Sequence, residues 1–159
     1  MFGVTKLTVT EDVTMLHLSN IPRDLQFLTK VLGMFADEKI NIDMISQTTF
    51  AQNEFDFSFT VPGVQLQQTL AIVSKIKNAY PAIKISASTG NTKIELYGEE
   101  MRTTYGVAHH AIKALADKNI PISMITTSEV DISMLFASAD QYTASDALQQ
   151  AFSLEAISE

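Results

Sequence analysis

The sequence predicts an α+β protein made of two copies of one strand–helix–strand–strand–helix–strand unit, the first copy inserted into the second. Three observations carry that prediction. A motif repeats: Ile40-Asn41-Ile42-Asp43-Met44-Ile45-Ser46-Gln47 returns eighty positions later as Ile120-Pro121-Ile122-Ser123-Met124-Ile125-Thr126-Thr127. Its flanks repeat as well. Phe27, Leu28, Val31, Leu32 and Phe35 fall at the same offset on Val107, Ala108, Ala111, Ile112 and Leu115, and Phe55-Asp56-Phe57-Ser58-Phe59 matches Val130-Asp131-Ile132-Ser133-Met134. A period this long marks a repeated domain rather than a short solenoid unit. The strand count is also uneven: the first copy has one strand to spare, and the second ends one short.

Each element follows from a local pattern. Thr5, Leu7 and Val9 share one face of a first strand over residues 4–9, which Glu11-Asp12 is expected to break. A second strand covers 13–18 and ends at Ser19-Asn20-Ile21-Pro22. Helical spacing of apolar residues gives a helix over 24–38, with Asp24 suited to the positive end of its dipole. Residues 42–50 read as a strand and 51–53 as a turn. Phe55, Phe57, Phe59 and Val61 then alternate with polar residues, the pattern of a strand buried on one face. Pro62-Gly63 punctuates the chain. Leu66, Leu70, Val73 and Ile76 mark a helix that stops before Pro81, and Ile83, Ile85 and Ala87 a strand. Thr89-Gly90-Asn91 is the expected joint. The second copy follows with a strand over 93–97, a helix over 104–118, strands over 122–128 and 131–136, and a last helix around Ala144, Ala147, Leu148 and Ala151.

This order is ferredoxin-like (βαββαβ). The strand at 4–9 has no role in the first copy, while the residues after 152 leave little room for a fourth strand in the second. The expectation is that the N-terminal strand completes the second sheet. The domains are then 13–90, and 1–12 plus 91–159.

Composition bounds the function. An apolar fraction of 46% is ample for folded cores. Each copy is near the size at which a lone core is marginal, so the copies should pack on each other or on a second chain. No run of about 18 apolar residues exists to span a membrane. The first residues lack the basic start and apolar run of a signal peptide, so a cytoplasmic protein is expected. Cysteine is absent, which removes disulfides, thiolate catalysis and cysteine metal sites. A net charge of −7 argues against nucleic acid, whose binding needs neutralised phosphates.

No catalytic constellation appears. His109 and His110 are adjacent, so on a helix they point in different directions and do not readily share an ion. His17 reads as a strand residue with a local partner. Asp56 and Asp131 recur because the fold repeats, which explains them more simply than acid–base work. No phosphate-cradling glycine loop or Ser-His-Asp pattern is present. The expectation is a regulatory, non-enzymatic chain with no metal and no cofactor.

The motifs carry a resemblance. Asn41-Ile42-Asp43-Met44-Ile45 with Gln47 resembles the second-strand motif of the first ACT domain in aspartokinases. Met124-Ile125-Thr126-Thr127-Ser128-Glu129-Val130-Asp131-Ile132-Ser133 is similar to their second-domain signature. Gly98 with Met101, and Gly106-Val107-Ala108, resemble the loop and helix start of that second domain, and Asp146 through Leu154 resembles the final helix. The resemblance covers nearly the whole chain. It implies two ACT-type domains, the regulatory portion of an aspartokinase without its kinase domain. In that family this portion binds an end-product amino acid, commonly lysine or threonine, and passes inhibition to the kinase. An aspartokinase catalytic chain is therefore an implied partner. The chain departs from the family at Gln26, where a glycine usually starts the first-domain helix, and at Glu100, where a glycine commonly precedes the methionine.

A free amino acid needs a partner for its carboxylate and one for its ammonium. Helix-start amides around Asp24, Gln26, Phe27 and Leu28, or around Thr104, Gly106 and Val107, can take the carboxylate. Asp24, Asp43 or Glu129 can meet the ammonium. Asn41 and Gln47 can hydrogen-bond either end, with Ile42, Pro121 and Ile122 in the adjoining motif. The plainer alternatives are that Asp24 only caps a helix and that Asn41 sits in a polar turn. Thr127, Ser128 and Glu129 suit a pocket, a dimer seam or simply a polar strand end. Strands 42–48 and 122–128, rich in Ile and Met, offer sheet edges that are usually paired or covered. A homodimer is expected, and the resemblance implies effectors held at its seams. The alternative is a dimerisation or partner-binding module that has lost effector binding.

Overall fold

The computed structural model describes residues 2–22, 24–49 and 54–159. The chain divides into two compact units, Asp12–Thr89 and a split unit made of Met1–Glu11 with Gly90–Glu159. The first is thus inserted into the second, and both have the ferredoxin-like order.

In the inserted unit, the sheet is built from residues 12–22 of strand β1 (Lys6–Pro22), β2 (Ile45–Thr49), β3 (Glu54–Pro62) and residues 84–89 of β4 (Lys84–Tyr97), with helices α1 (Leu25–Asp37) and α2 (Leu66–Ala79). The strand order is β2-β3-β1-β4. Antiparallel pairing sets Leu16 opposite Phe59 and Leu18 opposite Phe57, with a register shift between Leu18 and Ile21. That shift accompanies the left-handed Asn20, at φ 60°. Leu16, Leu18 and the Phe55, Phe57, Phe59 stripe pack with Val31 and Phe35 of α1 and Ile72 and Ile76 of α2. Phe35 meets Phe59 edge-on at 5.1 Å.

In the split unit, residues 6–11 of β1 and 90–97 of β4 join β5 (Met124–Thr127), β6 (Asp131–Phe136) and β7 (Ala156–Ser158), with helices α3 (Val107–Ala116) and α4 (Gln141–Phe152). The order is β5-β6-β4-β1, with β7 pairing β1. The Thr5 amide donates to the Tyr97 carbonyl at 2.8 Å, which ties the first residues to β4. Leu7 and Val9 share a buried core with Ile94, Leu96, Ile132, Met134 and the inner faces of both helices.

Several elements differ from the sequence expectation. Strand β1 runs unbroken through Glu11-Asp12, because Asp12 takes a left-handed φ of 54° and the hydrogen bonding continues on both sides. Gly90, at φ 69°, does the same within β4, so the expected joint at 89–91 is strand. Strand β2 starts at Ile45 rather than 42: the amides of Asp43 and Met44 are taken by the carbonyl and hydroxyl of Thr60, at 3.2 and 3.0 Å. Strand β5 starts at Met124, and at its other end Ser128 leaves the ladder to accept the amides of Val130 and Asp131, each at 3.2 Å. Helix α3 starts at Val107, because residues 99–103 form a separate 3₁₀ turn. On α2 the buried face is Thr69, Ile72, Val73 and Ile76, while Leu70 is exposed. The residues after α4 do hold a strand. β7 lies parallel to β1, with Leu7 opposite Ala156. The turn expected at 51–53 lies outside the described residues.

Candidate functional site

The starts of α1 and α3, which occupy matching positions in the two repeats, are where the sequence places candidate ligand contacts. A helix leaves its first N–H groups without intrahelical partners. At α1 the chain supplies its own answer: Asp24 accepts the Gln26 amide at 2.8 Å. The Gln26 side chain is exposed, whereas Phe27 and Leu28 are buried in the core and offer only backbone. Asn41, Asp43 and Gln47 are exposed along β2 and its lead-in, with Ile42 half-buried against the core.

At α3 no side chain caps the helix, and Gly106 precedes it in a left-handed conformation, φ 83°. An open pocket of about 340 Å³ surrounds this helix start. It brings together Thr104, Gly106, Val107, Thr127, Ser128 and Glu129, residues singled out in the sequence. The fold does so by setting the 99–105 turn and α3 beside the end of β5. Pro121 and Ile122 lie outside this lining; Pro121 is exposed and Ile122 packs on the core.

The sequence reading missed Arg102 and Tyr105, which also line the pocket. Arg102 forms an ion pair with Glu129 across the pocket wall, and its Nε lies 3.5 Å from Glu99. Tyr105 is 95% exposed at the lip. The only sequence signal was their place beside the Gly98, Met101 and Gly106 positions; their approach to Glu129 comes from the fold. Behind Arg102, the Tyr97 hydroxyl donates to Glu99 at 2.6 Å. That hydrogen bond holds the Glu99 carboxyl below the usual carboxylate range and pushes the Tyr97 hydroxyl up. Thr104 donates its hydroxyl to the Glu100 carbonyl at 2.8 Å, which fixes the turn. The pocket therefore offers amide donors at the helix start, with the paired Arg102 guanidinium and Glu129 carboxylate on its wall.

His17, Asp56 and His110 have structural partners. His17 places Nδ1 2.7 Å from the Ser58 hydroxyl and Nε2 3.3 Å from Asp56. His110 lies half-buried with Nε2 2.8 Å from the Ala151 carbonyl. Among the described residues no cluster of three or more His, Cys, Asp or Glu has the arrangement of a metal site. Nor is any helix among them long and apolar enough to cross a membrane.

Paired ferredoxin-like units with a small polar cleft at a helix start define an ACT-type regulatory protein. The family profile described as "ACT domain" matches residues 94–152. Aspartokinase 2 of Bacillus subtilis is 30% identical over 151 residues, which is 95% of this chain and 37% of that protein. A solved structure of aspartokinase alpha and beta subunits matches with a TM-score of 0.85 and 32% identity, covering 95% of this chain and 99% of that one. The ligand-free regulatory subunit of aspartate kinase from Thermus thermophilus matches with a TM-score of 0.86 and 26% identity, covering 94% and 99%. The chain belongs to the family of ACT-domain regulatory regions of aspartokinases. It spans little more than a third of the length of the curated aspartokinases it matches.

Proposed function

We propose that this chain senses an amino acid on behalf of an aspartokinase, and that the split unit holds the effector. The observation that supports this reading best is the uncapped α3 start facing Glu129 in a pocket of about 340 Å³, a volume suited to a small zwitterion. The effector carboxylate docks on the amides of Val107 and Ala108, where the helix dipole favours an anion. Its ammonium meets Glu129, with Thr104, Thr127 and Ser128 contributing polar contacts. The effector is lysine, threonine or a similar amino acid. Residues 13–90 and residues 1–12 plus 91–159 act as the two domains. Catalysis belongs to an aspartokinase catalytic chain or domain, in the cytoplasm, with no metal or cofactor here. Two copies of the chain join through the edges at β2 and β5, where Ile45 and Ile125 are 47% and 38% exposed.

Calorimetric titration with each of the twenty amino acids at millimolar concentration tests the reading. One or two should bind, and Glu129→Gln should weaken them by about tenfold, the loss expected when a charged hydrogen-bond partner is removed. No heat from any of them overturns it. A second reading has its own support in the inserted unit. There Asp24 closes the helix start and Gln26 replaces the family's glycine, as expected of a copy kept for dimerisation or partner contact. Asn41, Asp43 and Gln47 would then face a second protein chain. Sedimentation showing only a 17.5 kDa species at micromolar concentration would remove the dimer from both readings.

A further inference from the structure

Residues 2 and 3 pack against the turn and the helix that line the pocket at α3. Gly3 sits so close to the 99–104 turn that a Cβ built on it falls 2.8 Å from the Glu100 carbonyl carbon, 2.9 Å from the Met101 nitrogen and 3.0 Å from Thr104 Oγ1. Gly98, at the other end of the turn, is closer still: its Cβ would fall 1.8 Å from the Gly3 carbonyl oxygen. Gly3 also has a φ of 72°. One residue earlier, the Phe2 ring stacks on His110 of α3 with centroids 4.3 Å apart and planes inclined by 26°. The same ring meets Phe152 of α4 edge-on at 6.3 Å. His110 is fixed in turn by its contact with the Ala151 carbonyl at 2.8 Å. The segment thus touches both walls of the pocket from behind: Gly3 holds the turn that carries Met101, Arg102 and Thr104, and Phe2 holds the helix that carries Val107 and Ala108.

We infer that the Phe2-Gly3 segment is the positioning element of the pocket, so that effector affinity and the order of this segment are linked. This rests on the effector reading given above. Neither residue lines the pocket, so each acts through the residues it supports. Linkage is reciprocal. If seating this segment tightens the pocket, filling the pocket must tighten the segment. Any pull on the residues around Met1 would loosen the pocket by the same route.

Amide hydrogen exchange and calorimetry on the full chain test this, with L-lysine and L-threonine as probes. In Phe2→Ala without ligand, amides of 98–108 should exchange about tenfold faster, while those of the inserted unit, Asp12–Thr89, stay as they were. Affinity for whichever probe binds the unaltered chain should fall by about fivefold or more. Phe2→Tyr, which keeps the stacked ring, should restore both. A saturating probe should slow exchange at residues 3–7. Gly3→Ala gives the same result by crowding the turn, if it folds. Unchanged exchange over 98–108 in Phe2→Ala overturns the inference, whether or not an amino acid binds. So does unchanged affinity. Failure of both probes to bind the unaltered chain overturns the effector reading for lysine and threonine and leaves the exchange result to decide the inference.

Discussion

The two copies of the fold differ at the start of the helix that follows the first strand of the repeat. In the inserted unit, Asp24 turns its carboxylate onto the Gln26 amide at 2.8 Å and caps the helix start. In the split unit Gly106 stands before the helix with φ 83°, no side chain caps it, and Glu129 and Arg102 stand across a pocket. The same backbone thus supports two outcomes. A capped start is stabilised by about 1 kcal/mol and offers fewer free amides to a ligand. An uncapped start forgoes that stabilisation and keeps its amides available for an external anion. Duplication allows one copy to be settled structurally while the other stays open.

The largest test of this comparison concerns which core belongs to which copy. Leu7 is fully buried in the split unit's core, although in sequence it lies five residues from the inserted unit. Leu7→Ala should destabilise the split unit by about 2–5 kcal/mol. Phe59→Ala, at the centre of the inserted unit's core, should cost that unit about 3–5 kcal/mol. Amide exchange resolves the two. If Leu7→Ala strips protection from Asp12–Thr89 and spares residues 93–152, the strand does not serve the split unit and the comparison fails.

Much of this organisation was legible in the residues, for identifiable reasons. Alternation exposed β3, since Phe55, Phe57 and Phe59 all face one core. The surplus strand at residues 4–9 pointed to the inserted topology because strand number is countable without coordinates. What failed were features that no local pattern marks. Glu11-Asp12 looked like a break because charged pairs commonly end strands, yet a single left-handed residue lets β1 continue. Leu70 looked like core because it is apolar, but the helix turns Thr69 inward instead. Strand β7 has three residues, too few for a period. In the pocket, Gly106 and Glu129 were legible from the motif. Arg102 was not, because its ion pair with Glu129 joins positions 27 apart that only the fold brings together.

Exchanging the two helix starts sharpens the comparison at a smaller scale. Asp24→Ala should cost the inserted unit about 1 kcal/mol through loss of the cap. It should speed exchange in the first turn of α1 and leave amino-acid affinity unchanged. Gly106→Ala meets no atom within 4 Å, so its cost is the left-handed backbone alone, about 1–2 kcal/mol. Because that strain is relieved by moving the helix start, affinity should fall together with stability. Thermal unfolding and calorimetry read both quantities. An Asp24→Ala chain that loses effector binding would place the site in the inserted unit and reverse the assignment of the two copies.

The smallest expected effect is a pH dependence at the Tyr97–Glu99 pair of the split unit. In the split unit β4 ends in Tyr97, with Glu99 two residues on. The Tyr97 hydroxyl donates to Glu99, which is the first cause of the lowered Glu99 pKa; Arg102 lowers it further. A carboxyl whose pKa is depressed on folding stabilises the fold fully above its unfolded pKa, and that contribution is lost as pH falls through the lower, folded value. The same bond raises the Tyr97 pKa, since it needs the hydroxyl proton. That contribution is full below the usual tyrosine range and is lost as pH rises through the raised value. Both groups are exposed, so solvent screening keeps the effect small. Tyr97→Phe should remove the alkaline limb and shrink the acid one, since Arg102 still lowers the Glu99 pKa. The Glu99 carboxyl, followed by carbon NMR across the acid range, should then titrate closer to an ordinary glutamate, displaced only by Arg102. A Glu99 titration that does not move in Tyr97→Phe would mean that the hydroxyl does not hold it. The turn carrying Arg102 into the pocket would then owe its position to Gly3 and Gly98 rather than to this pair.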